Sequence, residues 1–136
     1  VLSDQSKFAE VEPLLQEAIT IRIGALGEDH PDVQLGRVEL GRHYQLRARY
    51  DEAETLFTKA YQGRRARLGE TSPAVASSLQ DLGYLAKLRE DWPTAERRYR
   101  EALPIWEGAQ INFEAVRTRG EIGFALAKMD RNDEAY

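Results

Sequence analysis

The chain has no cysteine and only one methionine among its 136 residues. Without cysteine it forms no disulfide and offers no thiolate for catalysis or for a cysteine-ligated zinc site. No apolar run approaches the roughly 18 residues that a membrane-spanning helix needs, and the first residues, Val1–Gln5, lack the basic region and apolar core of a signal peptide. We therefore expect a protein of a reducing compartment, the cytoplasm, with no membrane partner.

Histidine is scarce as well, and the sequence shows none of the usual catalytic patterns. His30 and His43 are the only two histidines, and their spacing does not place two metal ligands on one helical face. No Ser/His/Asp set, isolated carboxylate pair or glycine-rich phosphate loop stands out. We expect no catalytic residues, no metal and no cofactor.

The charge balance argues against nucleic acid as a partner. The formal net charge is −4, from 19 basic and 23 acidic residues. Arginine-rich segments occur at 64–67 and 97–100, but acidic residues flank both, and aromatic side chains do not recur along them in the way that single-stranded nucleic acid sites require. These segments are interpreted as solvated helix faces.

The chain does contain an internal repeat. The segment Leu26–Val33 returns almost unchanged as Leu68–Val75, 42 residues later (75 − 33). The same step takes Tyr50, Ala53, Glu54, Phe57 and Ala60 to Trp92, Ala95, Glu96, Tyr99 and Ala102. Subtracting 42 from Tyr50, Ala53, Phe57 and Ala60 gives Phe8, Val11, Leu15 and Ala18, so half a repeat precedes the first. A step of 40 takes Leu82, Gly83, Asp91 and Ala95 to Ile122, Gly123, Arg131 and Ala135. Such a period is typical of stacked supersecondary units.

The apolar spacing within each unit predicts helices. We expect helices near 4–24, 32–46, 50–66, 74–88, 92–107 and 113–128, with a further one starting at about 132. His30, Ser72 and Asn112 occupy one repeat position and predict N-caps, the first two followed by proline. Gly27 and Gly69 predict helix ends.

Three glycines, Gly41, Gly83 and Gly123, fall inside predicted helices, where each costs about 0.5–1 kcal/mol relative to alanine. We interpret them as points where the second helix of a pair crosses closely, presenting Ala53 or Ala95. The aromatic residues of the second helices are then expected to fill the space between repeats.

The pattern Leu-Gly, then Tyr, then Tyr/Trp-x-x-Ala-Glu, then Phe/Tyr-x-x-Ala resembles the tetratricopeptide repeat from Phe8 to Ala135. The 42-residue period and the Leu-Gly-Glu-Asp-His-Pro-Asp-Val linker are similar to the kinesin light chain type. The resemblance implies an all-α fold in which antiparallel helix pairs stack into a right-handed superhelix. It divides one array, 1–136, into a second helix alone at 4–27, repeats at 28–69 and 70–109, and a truncated repeat at 110–136. Because the chain opens on Val1, we expect a portion of a longer array.

The resemblance also implies a non-enzymatic scaffold whose first helices line a concave groove for a peptide segment of a protein partner. By position the groove residues are Leu35, Val38, Glu39, Arg42 and Gln45, then Ser77, Gln80, Asp81, Tyr84 and Lys87, then Arg117, Gly120, Glu121 and Phe124. Tyr84 and Phe124 are expected to be the apolar anchors. The family's usual groove asparagines are replaced by Glu39, Asp81 and Glu121, and the Lys/Asn/Arg clamp for a C-terminal carboxylate is missing.

Glu39, Asp81 and Glu121 admit two interpretations. As a stripe along the groove they favour a ligand with Lys or Arg. Alternatively Glu39 pairs with Arg42, and Glu121 with Arg117, each exposed pair contributing about 0.2–0.5 kcal/mol.

Two other functions stay open at this stage. The helix near 113–128 leaves Phe124, Leu126 and Met129 uncovered, which favours self-association through the C-terminal end. The array is also compatible with a regulatory domain of a larger signalling protein.

Overall fold

The computed structural model describes the backbone of residues 4–134 and the side chains of residues 7–130. This range contains six helices and no strand. The helices are α1 (Asp4–Leu26), α2 (Pro31–Leu46), α3 (Tyr50–Leu68), α4 (Pro73–Leu88), α5 (Trp92–Gly108) and α6 (Asn112–Glu134). The first five agree with the predicted positions to within two residues at either end.

Helix ends lie where the repeat places them. The side chains of His30 and Ser72 accept hydrogen bonds from the backbone N–H of Asp32 and Ala74, at 3.1 and 3.3 Å, so both are N-caps. Asn112 is instead the first residue of α6. Gly27 and Gly69 end the preceding helices with φ of 93° and 86°, a conformation that glycine adopts without steric cost.

The chain forms two compact units, Val1–Arg67 and Leu68–Tyr136. In the first, α1 packs on α2 through Phe8, whose ring centroid lies 5.6 Å from that of Tyr44. The Tyr44 hydroxyl donates to Glu12 at 2.5 Å, and Arg49 donates to the other oxygen of Glu12 at 3.3 Å. Burial, followed by the hydrogen bond to Glu12, raises the pKa of Tyr44. These contacts join α1, α2 and the turn before α3.

Gly41 of α2 and Gly83 of α4 mark close helix crossings, as predicted. Aromatic rings, and not the predicted alanines, lie against them. A Cβ on Gly41 would lie 2.7 Å from the ring of Phe57, and one on Gly83 would lie 3.1 Å from the ring of Tyr99. Both rings are almost completely buried. For Gly123 the described residues show no such crossing, because none of their heavy atoms lies within 4 Å of a Cβ there.

A buried polar contact fixes a further close approach of α2 and α3, at Gly63. Gln34 and Arg37 are buried in α2; Gln34 donates to the backbone oxygen of Glu28 at 2.7 Å, and Arg37 donates to Gln34 at 3.0 Å. A Cβ on Gly63 of α3 would overlap the Gln34 amide. The linker is thereby tied to the helix that follows it.

The core of the second unit joins all three of its helices. Ala86 of α4, Ala95 and Tyr99 of α5, and Ile122 of α6 form one buried cluster. Burial, with the negative charge of Glu121 adding to it, raises the pKa of Tyr99. Trp106 is also buried, so it packs inside the unit.

The prediction that one helix ends near 128 and another starts at about 132 is wrong. The helix α6 is continuous from Asn112 to Glu134. Position 132, the repeat equivalent of Trp92, is an asparagine, so the chain lacks the aromatic side chain that would pack a new helix back. Ala135, the predicted equivalent of Ala95, lies outside the described residues.

Candidate peptide-binding surfaces

The first unit carries a groove of about 640 Å³ along α2. We call it the unit 1 groove; its lining is Arg22, Asp32, Leu35, Val38, Glu39, Arg42, His43 and Leu46. Four of the five residues predicted for this helix therefore meet in one depression, and Gln45 is half-buried beside them. Leu35 and Leu46 are 57% and 81% exposed, so two large apolar side chains face solvent at this groove.

Charges of both signs lie in the unit 1 groove. Arg22 of α1 donates to the backbone oxygen of Asp32 at 3.3 Å, which closes the groove on one side. Glu39 is exposed, whereas Val38 is 5% exposed and contributes only a small apolar floor. The groove therefore offers an accessible carboxylate between apolar side chains.

The second unit presents an aromatic surface built from α4, α5 and α6. We call Tyr84, Trp92 and Phe124 the unit 2 aromatic patch. Phe124 meets Trp92 edge to face at 5.6 Å, and Tyr84 and Phe124 are 45% and 43% exposed. Both predicted apolar anchors are thus available at the surface of one unit.

Two ammonium groups accompany this patch. Lys87 lies 4.9 Å from the ring centroid of Phe124, and Lys128 lies 5.4 Å from it. Lys128 also lies 5.8 Å from the ring of Trp92. Both positions are within the range of cation–π attraction, so the aromatic rings are held between α4 and α6 by charge as well as by packing.

The local pairing predicted for Glu121 is wrong. Its carboxylate accepts from Lys87 of α4 at 3.0 and 3.3 Å, while Arg117 pairs with Glu114 at 3.7 Å. The neighbouring helix brings an ammonium group onto Glu121, so this carboxylate is already compensated inside the unit.

The remaining predicted residues of the second unit have mixed surroundings. Gln80 donates to the hydroxyl of Thr118 at 2.7 Å and so holds α4 against α6. Ser77 and Asp81 are half-buried, and Gly120 is exposed. Of this set, Tyr84 and Phe124 have the greatest apolar area free for a ligand.

Sequence reasoning missed several contributors to these surfaces. Lys128 lies over the unit 2 aromatic patch, and the unit 1 groove is also lined by Arg22, Asp32, His43 and Leu46. Leu46 and Lys128 occupy one repeat position, reached by steps of 42 and 40 through Leu88. That position is exposed in α2 and α4 and half-buried in α6. The repeat itself was the signal that could have identified it.

The described residues give no sign of a metal site or a membrane span. Within that part of the chain, no group of three or more His, Asp or Glu side chains is arranged to hold a metal ion. None of its helices is long and apolar enough to cross a membrane.

Comparison with known families supports the repeat assignment. Two sequence profiles, both described as tetratricopeptide repeat, match residues 32–108 and 1–32. The chain belongs to the tetratricopeptide repeat family. Its all-α helix pairs are therefore tetratricopeptide helix pairs, and the predicted fold class is confirmed.

Solved structures of similar fold include a protein with kinesin light chain TPR-like repeats. BtubC (BKLC) from P. vanneervenii is 20% identical, with a TM-score of 0.71 over 94% of this chain and 56% of that one. A P. anserina protein with nearly identical kinesin light chain TPR-like repeats is 19% identical, with a TM-score of 0.78 over 96% of this chain and 63% of its own. This tetratricopeptide chain spans less than two thirds of either structure. No curated protein matches it.

Proposed function

We propose that this tetratricopeptide chain is a protein-interaction module that binds a peptide segment of a partner along its first helices. Tetratricopeptide repeats generally mediate protein–protein interaction, and their fold is typical of non-enzymatic scaffolds. The observation that carries the proposal is the exposure of Tyr84 and Phe124 on one surface, next to compensated charges. Rigid aromatic side chains of this kind dominate the binding free energy in many interfaces.

The charges indicate what the peptide contains. Lys87 already neutralises Glu121, so the unit 2 aromatic patch calls for apolar side chains on the ligand. In the unit 1 groove Glu39 is exposed beside Leu35 and Leu46, which favours Lys or Arg next to an apolar residue. The unit 2 aromatic patch thus prefers a peptide with apolar residues, the unit 1 groove prefers one with a basic residue beside an apolar one, and the proposed location is the cytoplasm.

Selection from a displayed library of random peptides tests this function. We expect the full chain to enrich peptides with apolar residues, and we expect Tyr84→Ala or Phe124→Ala to weaken the binding of those peptides about tenfold, since truncating an interface anchor costs more than 1 kcal/mol. Affinity is measured by fluorescence anisotropy on synthetic copies of the enriched peptides.

The control is Leu68→Ala, which truncates an apolar side chain of similar exposure, 47%, at the end of α3. This variant is expected to bind as tightly as the unmodified chain. Equal affinity for all three variants, or enrichment of no peptide, would refute the proposed surface.

Glu39→Gln tests the charge preference separately. We expect it to weaken peptides that contain Lys or Arg at low salt and to leave their neutral analogues unaffected. If acidic peptides bind as well as basic ones to the unmodified chain, the basic ligand is wrong while the aromatic surface still stands.

A further inference from the structure

The first unit has a second depression, separate from the unit 1 groove. It has a volume of about 510 Å³ and lies between α1 and α3, with Leu40 and Tyr44 of α2 as its floor. We call it the unit 1 cleft. At about 3.6 residues per turn, Tyr44 lies on the side of α2 opposite to Leu35 and Leu46, so the cleft and the groove occupy opposite faces of the same helix.

Aliphatic side chains line the middle of the unit 1 cleft. Ile19 and Ile23 of α1 form one wall, and Leu56 of α3 forms the other. Leu40 is 2% exposed and belongs to the core. Ile23 and Leu56 are only half-buried, so they keep apolar surface open to a ligand.

The α1 wall of the cleft faces the interior of the unit. A Cβ on Gly36 of α2 would lie 3.0 Å from the side chain of Ile19, so α1 packs closely on α2 at this level. The exposed residues Leu14 and Ile21 lie on the other side of α1. The cleft is therefore formed by three helices of one unit, and the exposed outer side of α1 takes no part in it.

The uncharged polar side chains of the cleft already have hydrogen-bond partners within the chain. Thr20 donates to the backbone oxygen of Gln16 at 3.0 Å. Thr55 donates to the backbone oxygen of Asp51 at 3.1 Å. The amide of Gln16 donates to the Tyr44 hydroxyl at 3.1 Å. None of these groups needs a ligand to satisfy it.

Of the three charged side chains in the lining, two are compensated and one is not. Arg37 lies 3.5 Å from the carboxylate of Glu28, and Glu52 accepts from Arg49 at 2.7 and 2.8 Å. Lys59 is exposed and makes no hydrogen bond or ion pair with any residue that the structure describes. A ligand in the cleft therefore meets one uncompensated charge, and that charge is positive.

This charge lies at one end of the cleft. Because only residues 47–49 join α2 and α3, the two helices are antiparallel. Tyr44 therefore lies near the start of α3, and Lys59 lies further along α3, toward Arg37. The wall from Glu52 to Lys59 is about 10 Å long, at about 1.5 Å per residue.

We propose that the unit 1 cleft binds a linear aliphatic carboxylate, with the hydrocarbon chain along Ile19, Ile23 and Leu56 and the carboxylate at the ammonium group of Lys59. Burial of the hydrocarbon against these side chains supplies affinity. The uncompensated positive charge selects an anionic head group over a cationic one. The volume of the cleft lies within the range of about 300–1,000 Å³ that small-molecule sites have.

Titration of the full chain with octanoate below its micellar concentration, followed by NMR, tests the proposal. Octanoate has an extended length similar to that of the cleft. We expect the methyl signals of Ile19, Ile23 and Leu56 to shift progressively, and those of Leu35 in the unit 1 groove to stay unchanged. Octylammonium, with the same chain and the opposite charge, should bind at least about fivefold more weakly, since an exposed charge pair contributes no more than about that factor.

The variant Lys59→Gln tests the role of the charge. It should weaken octanoate about fivefold and remove the preference over octylammonium. Lys59→Arg keeps the positive charge and should restore both. The matched control is Lys7→Gln, the same change at an exposed position of α1 that does not line the cleft, and it should bind octanoate like the unmodified chain. Lys59 and Lys7 are both exposed, so circular dichroism should show unchanged helix content in all three variants.

Three results would overturn the proposal. The first is the absence of any shift with octanoate, and the second is equal affinity for octanoate and octylammonium. The third is a set of shifts centred on the unit 1 groove or the unit 2 aromatic patch. Peptide binding is tested through Glu39, Tyr84 and Phe124, none of which lines the cleft, so failure of one proposal leaves the other standing.

Discussion

Glycine at one repeat position has opposite consequences in different helices of this chain. Gly41 faces the Phe57 ring, whose atoms would lie 2.7 and 2.9 Å from a Cβ, and the ring is 1% exposed and cannot withdraw. Gly123 occupies the equivalent position of α6, where no heavy atom of the described residues lies within 4 Å of a Cβ. The same residue type is therefore required by packing in one helix and only weakens the other.

We expect Gly41→Ala to lower the free energy of unfolding by about 1–3 kcal/mol, because the added methyl group overpacks a rigid core. Gly123→Ala should raise it by about 0.5–1 kcal/mol, since alanine favours the helix and its methyl group meets no heavy atom of the described residues. Urea denaturation at low protein concentration measures both. A stabilising Gly41→Ala would show that the crossing is looser than the contacts with Phe57 indicate.

At the scale of elements, the connection between α5 and α6 differs from the other connections between repeats. The turns after α1 and α3 have four residues and begin with Gly27 and Gly69. The turn after α5 has three, and its left-handed residue is Gln110, with φ of 60°. The N–H of Ile111 then donates to the oxygen of Trp106 at 3.0 Å. The turns within both repeats have this same geometry, with Ala48 and Glu90 at the left-handed position.

Gln110→Gly should therefore stabilise the chain. A left-handed conformation costs an ordinary residue about 1–2 kcal/mol, of which the greater freedom of glycine in the unfolded chain cancels a part, leaving a gain of roughly 0.5–1 kcal/mol. The midpoint of urea denaturation measures the gain.

Ala109→Gly is the matched control, because Ala109 has φ of −84° in the right-handed region. Here glycine relieves no strain and should destabilise by roughly 0.5–1 kcal/mol. Loss of stability in both variants would contradict the strain assigned to Gln110.

The sequence predicted those elements whose ends carry a local signal. The starts of α2 and α4 follow from a capping side chain and a proline. The ends of α1 and α3 follow from a glycine, the residue that adopts a left-handed conformation at a helix end without steric cost. The end of α6 was wrong because no such signal stands near 128. A helix continues where neither a cap nor a packing partner stops it.

The candidate surfaces were predicted only in part. Leu35, Glu39 and Arg42 line the unit 1 groove together with residues that the repeat positions did not name, and their role in binding a peptide stays a prediction. The partner of Glu121 could not be predicted, since spacing along a helix favours Arg117 at i − 4, whereas Lys87 comes from another helix 34 residues away. Long charged side chains choose among several partners of similar energy, and tertiary packing decides between them.

At the scale of the whole molecule, the unequal covering of the six helices predicts unequal local stability. In repeat proteins stability is approximately the sum of each unit's own stability and its contacts with neighbours. The pairing faces of α3 and α5 are buried, whereas those of α1 and α6 are largely uncovered. Local opening should therefore begin in α1 and α6, and α4 and α5 should open last.

Amide hydrogen exchange in dilute solution tests this order. The amides of α1 and α6 should exchange faster than those of α4 and α5, because the pairing faces of α1 and α6 are less covered within the described residues. Uniform exchange across all helices would contradict the graded stability.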